Sequence, residues 1–126
     1  MLKRVLVVDD SVFMRDMLKE IFLSGGYEIA GEAVNGIEAV SRYHELKPDL
    51  TTMDIVMPLK SGIEATREIV RADPRAVVLM CSILGQESLV MEAIEAGAAD
   101  FVVKPFRGDD VLAVVQRVLT ARASAN

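Results

Sequence analysis

The chain predicts an α/β fold, a three-layer sandwich built on a parallel five-stranded sheet. Two observations carry that prediction. Short Val-rich apolar runs alternate with amphipathic helical segments five times along 126 residues, and alternating β and α units lead to a parallel sheet covered by helices on both faces. Several of the runs are apolar throughout, as strands buried on both faces are.

The elements follow in order. Residues 5–8 form the first strand. Residues 11–24 form a helix that carries Met14, Met17, Leu18 and Ile21 on one stripe and stops at Gly25-Gly26, a normal helix terminator. The second strand covers 27–33, and Asn35-Gly36-Ile37-Glu38 then has the spacing of a capping box that opens the second helix. After a third strand at 50–53, Ser61-Gly62-Ile63-Glu64 repeats that signal for the third helix. Residues 76–80 give the fourth strand, and the helix at 86–96 is closed by Gly97. The last pair is the strand at 101–103 and the helix at 109–121. In that helix Val111, Leu112, Val114, Val115, Val118 and Leu119 span an arc of roughly 160° at ~100° per residue.

Residues 1–121 read as one domain, and 122–126 as a frayed C-terminal tail. Right-handed crossovers leave few topologies. The leading choice is the flavodoxin-like (βα)5 sheet, in strand order 2-1-3-4-5. There the order reverses between strands 1 and 3, and ligands bind at the carboxyl ends of those two strands.

Composition narrows the function classes. Hydrophobic residues make up 52%, which excludes disorder, yet no apolar run reaches the ~18 residues of a membrane span. Met1-Leu2-Lys3-Arg4 leads straight into the first strand without a signal-peptide pattern. Cys81 has no partner for an internal disulfide. These features point to a cytoplasmic protein away from membranes. A net charge of −5, 5% aromatics and no Trp argue against a nucleic-acid partner, which wants a basic patch.

Chemistry concentrates at the strand ends. Strand 1 finishes in Asp9-Asp10 and strand 3 in Asp54, so the topology brings three carboxylates to one crevice. Crowded anions raise the pKa of at least one member unless a cation neutralises them. Oxygen-only ligands call for a hard cation, and few protein ligands favour Mg²⁺ over a Ca²⁺ cage, with Mn²⁺ as a substitute. Strand 4 is followed by the hydroxyl of Ser82, and strand 5 by the ammonium of Lys104, which precedes Pro105. Each residue alone has an ordinary reading. Asp9-Asp10 could cap a helix, Asp54 could form a turn before Pro58, Ser82 could be a loop hydroxyl and Lys104 a solvated cation. Five suitable groups on four strand ends of one rim favour the functional reading.

These residues resemble the receiver domain of bacterial two-component response regulators over nearly the whole chain. The matching pieces are Val5-Leu6-Val7-Val8-Asp9-Asp10, Met53-Asp54-Ile55-Val56-Met57-Pro58 with Gly62, Ser82, Gly97-Ala98 and Lys104-Pro105-Phe106. Phe13-Met14-Arg15, Cys81-Ser82 with Gly85-Gln86, and Asp100 through Phe106 are similar to the stand-alone chemotaxis regulators of that family. The resemblance implies Asp54 as phosphoacceptor. It also implies Mg²⁺ held by Asp10, Asp54 and the backbone carbonyl of Val56, with Asp9 acting through water. Ser82 and Lys104 would contact the phosphoryl group. Ser82 and Phe101 would form the conformational switch, and Lys104-Pro105 would be a cis peptide. The implied phosphodonor is a histidine kinase. The output is a surface of helix 4, strand 5 and helix 5 that meets a downstream protein such as the flagellar motor switch, with the chain acting as a monomer.

Some positions depart from the family pattern. Thr51 and Thr52 replace an apolar pair in strand 3, and a buried hydroxyl needs a hydrogen-bond partner. Ser61 stands where Asn or Asp is usual and caps a helix equally well. Phe101 has no hydroxyl, so no switch here depends on a tyrosine hydrogen bond. Val56 and Leu84, two residues beyond Asp54 and Ser82, tune dephosphorylation in the family. Both are apolar and cannot orient a hydrolytic water, so slow spontaneous dephosphorylation and a phosphatase partner are expected. His44 reads as exposed, Cys81 as a buried strand residue and the seven Met residues as core filler. The rival functions are a stand-alone phosphorelay intermediate and, from another class, a Mg²⁺-dependent phosphatase-like hydrolase. The hydrolase is disfavoured because Val56 sits where its second general acid would stand.

Overall fold

The structure, a computed structural model, describes residues 2–124. The order is β1 (Arg4–Val8), α1 (Val12–Ser24), β2 (Glu28–Ala33), α2 (Gly36–Leu46), β3 (Leu50–Asp54), α3 (Gly62–Ala72), β4 (Val78–Ser82), α4 (Glu87–Glu95), β5 (Asp100–Val103) and α5 (Gly108–Ser124). All strand pairs are parallel and the sheet runs β2-β1-β3-β4-β5. The expected strand order is the observed one.

Period-2 alternation along the strands divides the core into two layers. Leu6, Val8, Met53, Val78 and Met80 pack with Ala39 and Tyr43 of α2, Ala65 and Ile69 of α3, and Val90 and Ala93 of α4. Val5, Val7, Leu50, Leu79, Cys81 and Val102 face Leu18 and Phe22 of α1 and Val111, Val115 and Val118 of α5. Phe22, which is not on the expected α1 stripe, is fully buried there, whereas Met14 and Met17 are half-buried. Met91 departs from the core-filler expectation, being 62% exposed on α4. His44 is exposed and Cys81 buried.

Local hydrogen bonds explain where the elements start and stop. Ser11 caps α1 through the Met14 N–H, and Ser61 forms a full capping box with Glu64 on α3. The α2 box is altered. Asn35 accepts from the Glu38 N–H, but the Glu38 carboxylate accepts from Val34 rather than from the cap residue.

Two boundaries correct the sequence expectation. β4 begins and ends two residues later than expected, because the Ala76 N–H bonds to the Asp73 carbonyl in a turn and the ladder to β3 starts at Val78. The segment expected to fray from residue 122 is instead helical through Ser124, and Arg122 donates to the carbonyls of Pro74 and Ala76. Residues 125 and 126 of that segment lie outside the described residues. Among the described residues no helix is long and apolar enough to cross a membrane.

Candidate functional site

Strand register decides what meets at the carboxyl end of the sheet. Val8 of β1 pairs with Met53 of β3, so Asp9, Asp10 and Asp54 emerge side by side at the point where the strand order reverses. On the other side of β3, Ser82 is the last residue of β4 and pairs with Val103. The Lys104 N–H then donates to the Ser82 carbonyl at 2.7 Å, which ties the two strand ends together. The Lys104–Pro105 peptide is cis.

The five groups named from the sequence share this rim. One carboxylate oxygen from each of Asp9, Asp10 and Asp54 lies within 4.8 Å of the others. Lys104 Nζ bridges two of them, at 2.9 Å from Asp9 Oδ2 and 3.2 Å from Asp54 Oδ1. Asp9 is buried at 1% exposure, while Asp10 is exposed. Burial pushes Asp54 up to about 6, the charges of Asp9 and Asp10 push the same way, and Lys104 opposes them. Burial alone would lower the Lys104 ammonium, but the Asp9 and Asp54 carboxylates hold it above its usual value.

Such a set suits a small hard cation. Its donors are all oxygens, and three carboxylates share the crevice with one ammonium that bridges two of them. The residues present therefore fit Mg²⁺.

The loop after β3 is held close to the site. The Gly62 N–H donates to the Ile55 carbonyl at 2.8 Å, and a Cβ on Gly62 would lie 1.9 Å from the Asp54 carbonyl oxygen. Only glycine fits there, so its presence keeps the backbone of Asp54 and Ile55 tucked against the start of α3. Leu59 in the same loop has φ 70°, a left-handed conformation unusual for leucine.

The remaining expected residues surround the rim. Ser82 is 2% exposed, and its hydroxyl makes no side-chain hydrogen bond among the described residues. Phe101 on β5 is 39% exposed, and an apolar cavity of about 250 Å³ lies against it, lined by Ser82, Leu84, Val90, Met91 and Val103 among others. Val56 and Leu84, in the loops that follow Asp54 and Ser82, are 59% and 80% exposed. The expected hydroxyl partners in β3 are absent. Thr51 Oγ1 and Thr52 Oγ1 are both buried without a hydrogen bond among the described residues.

Three supporting residues were not assigned a role from sequence. Arg15 Nη1 donates to the Asp9 carbonyl at 2.6 Å and its Nε to Glu32 Oε1 at 2.8 Å, while Lys19 Nζ takes the other Glu32 oxygen at 3.0 Å. Glu32 reaches the pair from β2, a pairing that no local spacing in the chain encodes.

Comparison with known proteins agrees with this geometry. The sequence profile of the response regulator receiver domain matches residues 5–116. The chain is 56% identical over 116 residues to chemotaxis protein CheY of Thermotoga maritima, covering 92% of this chain and 97% of that protein. It is 50% identical over 119 residues to chemotaxis protein CheY of Bacillus subtilis, covering 94% and 99%. Among solved structures, it superposes on a chain of the CheX-CheY-BeF3-Mg²⁺ complex from Borrelia burgdorferi with a TM-score of 0.86 and 42% identity, over 92% of this chain and 88% of that one.

Proposed function

The chain belongs to the response regulator receiver family, and from that premise we propose that it is a phosphorylation-activated switch of a two-component system, acting in chemotaxis in the cytoplasm. Asp54 is the phosphoacceptor. The observation that carries this reading is its position between the Asp9-Asp10 pair and the Lys104 ammonium, at the reversal of strand order.

A histidine kinase supplies the phosphoryl group. An Asp54 oxygen forms the bond to phosphorus as the phosphohistidine N–P bond breaks, leaving an acyl phosphate and a neutral imidazole. The electrostatic obstacle is an anion approaching an anion. Lys104 offsets it by moving from the two carboxylates toward the transferred oxygens. Asp10, Asp54 and the Val56 carbonyl would hold Mg²⁺, with Asp9 linked through water. When bound, the ion neutralises charge on the phosphoryl oxygens.

Ser82 has a hydroxyl free to turn toward the new dianion, and Phe101 has an adjoining cavity of about 250 Å³ into which it can move. Together they would couple Asp54 to the surface of α4, β5 and α5 as a two-state element. The relatives named chemotaxis protein CheY support the flagellar motor switch as the downstream target. The apolar side chains of Val56 and Leu84 favour a separate phosphatase. The CheX-CheY complex supports the idea that a second protein binds the phosphorylated chain.

Beryllofluoride with Mg²⁺ tests the reading. Titrated into wild type and Asp54→Ala and followed by NMR, it should shift resonances at Ser82, Phe101 and α4 in wild type only. A response that persists in Asp54→Ala, or none in wild type, would refute the assignment. Mixing phosphorylated protein with histidine phosphotransfer domains separates a terminal switch, which keeps the group, from a relay intermediate, which passes it on.

A further inference from the structure

Every polar group of Asp9 is committed. Its N–H donates to the Ala33 carbonyl at 3.1 Å. Its carboxylate accepts from the Ser11 N–H at 2.9 Å and from Lys104 Nζ at 2.9 Å. Its carbonyl accepts from Arg15 Nη1 at 2.6 Å. That carbonyl belongs to the Asp9–Asp10 peptide, and a peptide unit is planar. Fixing the oxygen fixes the plane and therefore the starting direction of Asp10. The Asp10 carboxylate itself makes no hydrogen bond or ion pair among the described residues, so its aim depends on the backbone beneath it.

Arg15 is itself constrained. It sits in the first turn of α1 with its side chain 12% exposed, between that helix and β2. A part-buried guanidinium needs partners for its donors, and its Nε donates to Glu32 at 2.8 Å. The Glu32 carboxylate is held from its other side, where its second oxygen accepts from Lys19 Nζ at 3.0 Å. A purely structural cation could end at Glu32. This one uses its fork to reach past Glu32 to the peptide that joins the two acids.

We propose that Arg15, oriented by Glu32, is a positioning residue that clamps the Asp9–Asp10 peptide and so aims the Asp10 carboxylate at the divalent cation. The inference rests on the receiver reading above. Partners behind a metal ligand typically change metal affinity by roughly 10- to 100-fold when removed.

The test is calorimetric titration of Mg²⁺ and of Mn²⁺ into the unphosphorylated protein, with a thermal melt of each variant. Arg15→Met should weaken both metals by about 10-fold. Arg15→Lys should recover only part of that, because an ammonium keeps the charge but lacks the fork. Glu32→Gln should cause a smaller loss, and the double variant should be no worse than Arg15→Met, as expected for residues acting through one contact. Arg42→Met, which removes a contact to the Glu32 backbone carbonyl and touches neither the Glu32 carboxylate nor Asp9, should lower the melting temperature and leave metal affinity unchanged. Where Arg15→Met fails to fold, Arg15→Lys and Glu32→Gln carry the comparison. Wild-type metal affinity in the folded Arg15 variants, or an equal loss in Arg42→Met, overturns the proposal. A wild-type protein that binds neither metal overturns the receiver reading, and this inference with it.

Discussion

Val56 and Leu84, two residues beyond Asp54 and Ser82, carry exposed apolar side chains and offer nothing that could orient a water for attack on a phosphoryl group at Asp54. The phosphorylated protein alone should therefore decay slowly, and Val56→Asn should speed that decay several-fold, measured as loss of radiolabel after the donor is removed. Wild-type decay within seconds that Val56→Asn does not change would remove the role given to these two positions. The paired threonines of β3 make a different residue-scale prediction. Thr52 Oγ1 is buried without a partner, so the near-isosteric Thr52→Val should stabilise the protein by about 1 kcal/mol in urea denaturation. At this scale the acids, Ser82 and Lys104 were legible because all of them lie at the ends of strand-like runs. Arg15 was not, since its partner Glu32 lies 17 positions away and meets it only through tertiary packing.

Helix and strand boundaries convert these residues into a site. The β3–α3 connection approaches the sheet so closely that a Cβ at Gly62 would overlap the Asp54 carbonyl at 1.9 Å. Gly62→Ala should cost at least ~2 kcal/mol through overpacking and should weaken Mg²⁺ binding as the loop carrying Val56 shifts. Gly108 is the contrast. Its added Cβ would meet Ile21 Cγ1 at 3.6 Å, an ordinary contact, so Gly108→Ala should be neutral or stabilising by up to about 1 kcal/mol. Chemical denaturation of the two variants against wild type checks both signs. Element existence and type were readable from period and caps. The start of β4 was not, because apolar Ala76 and Val77 look like strand and only the turn bond to Asp73 excludes Ala76 from the ladder.

Across the whole molecule, the crowded acids couple stability to pH. Asp54 is raised by burial and by Asp9 and Asp10 to about 6. A raised carboxyl favours the folded state fully below its unfolded value of about 4, and that contribution is lost as pH rises through the folded value. The metal-free protein should therefore lose stability between about pH 4 and about pH 7 on account of this group. Asp54→Asn should be more stable than wild type above that window by on the order of 1–3 kcal/mol, with the difference closing toward about pH 4. Saturating Mg²⁺ should raise the melting temperature of wild type but not of the variant, since a ligand stabilises only the state that binds it. Thermal melts across pH, with and without the ion, measure both effects, and a wild-type minus Asp54→Asn difference that does not change with pH would contradict the raised Asp54. The sequence by itself determined the fold class and which strand ends carry carboxylate, hydroxyl and ammonium, because hydrophobic period, caps and turn residues are local properties written along the chain. Tertiary structure alone decided that Lys104 bridges Asp9 and Asp54, that Gly62 must lack a side chain and that Arg15 grips the Asp9 carbonyl. Those contacts join residues distant in the chain, and their distances follow from how the sheet twists and the helices pack upon it.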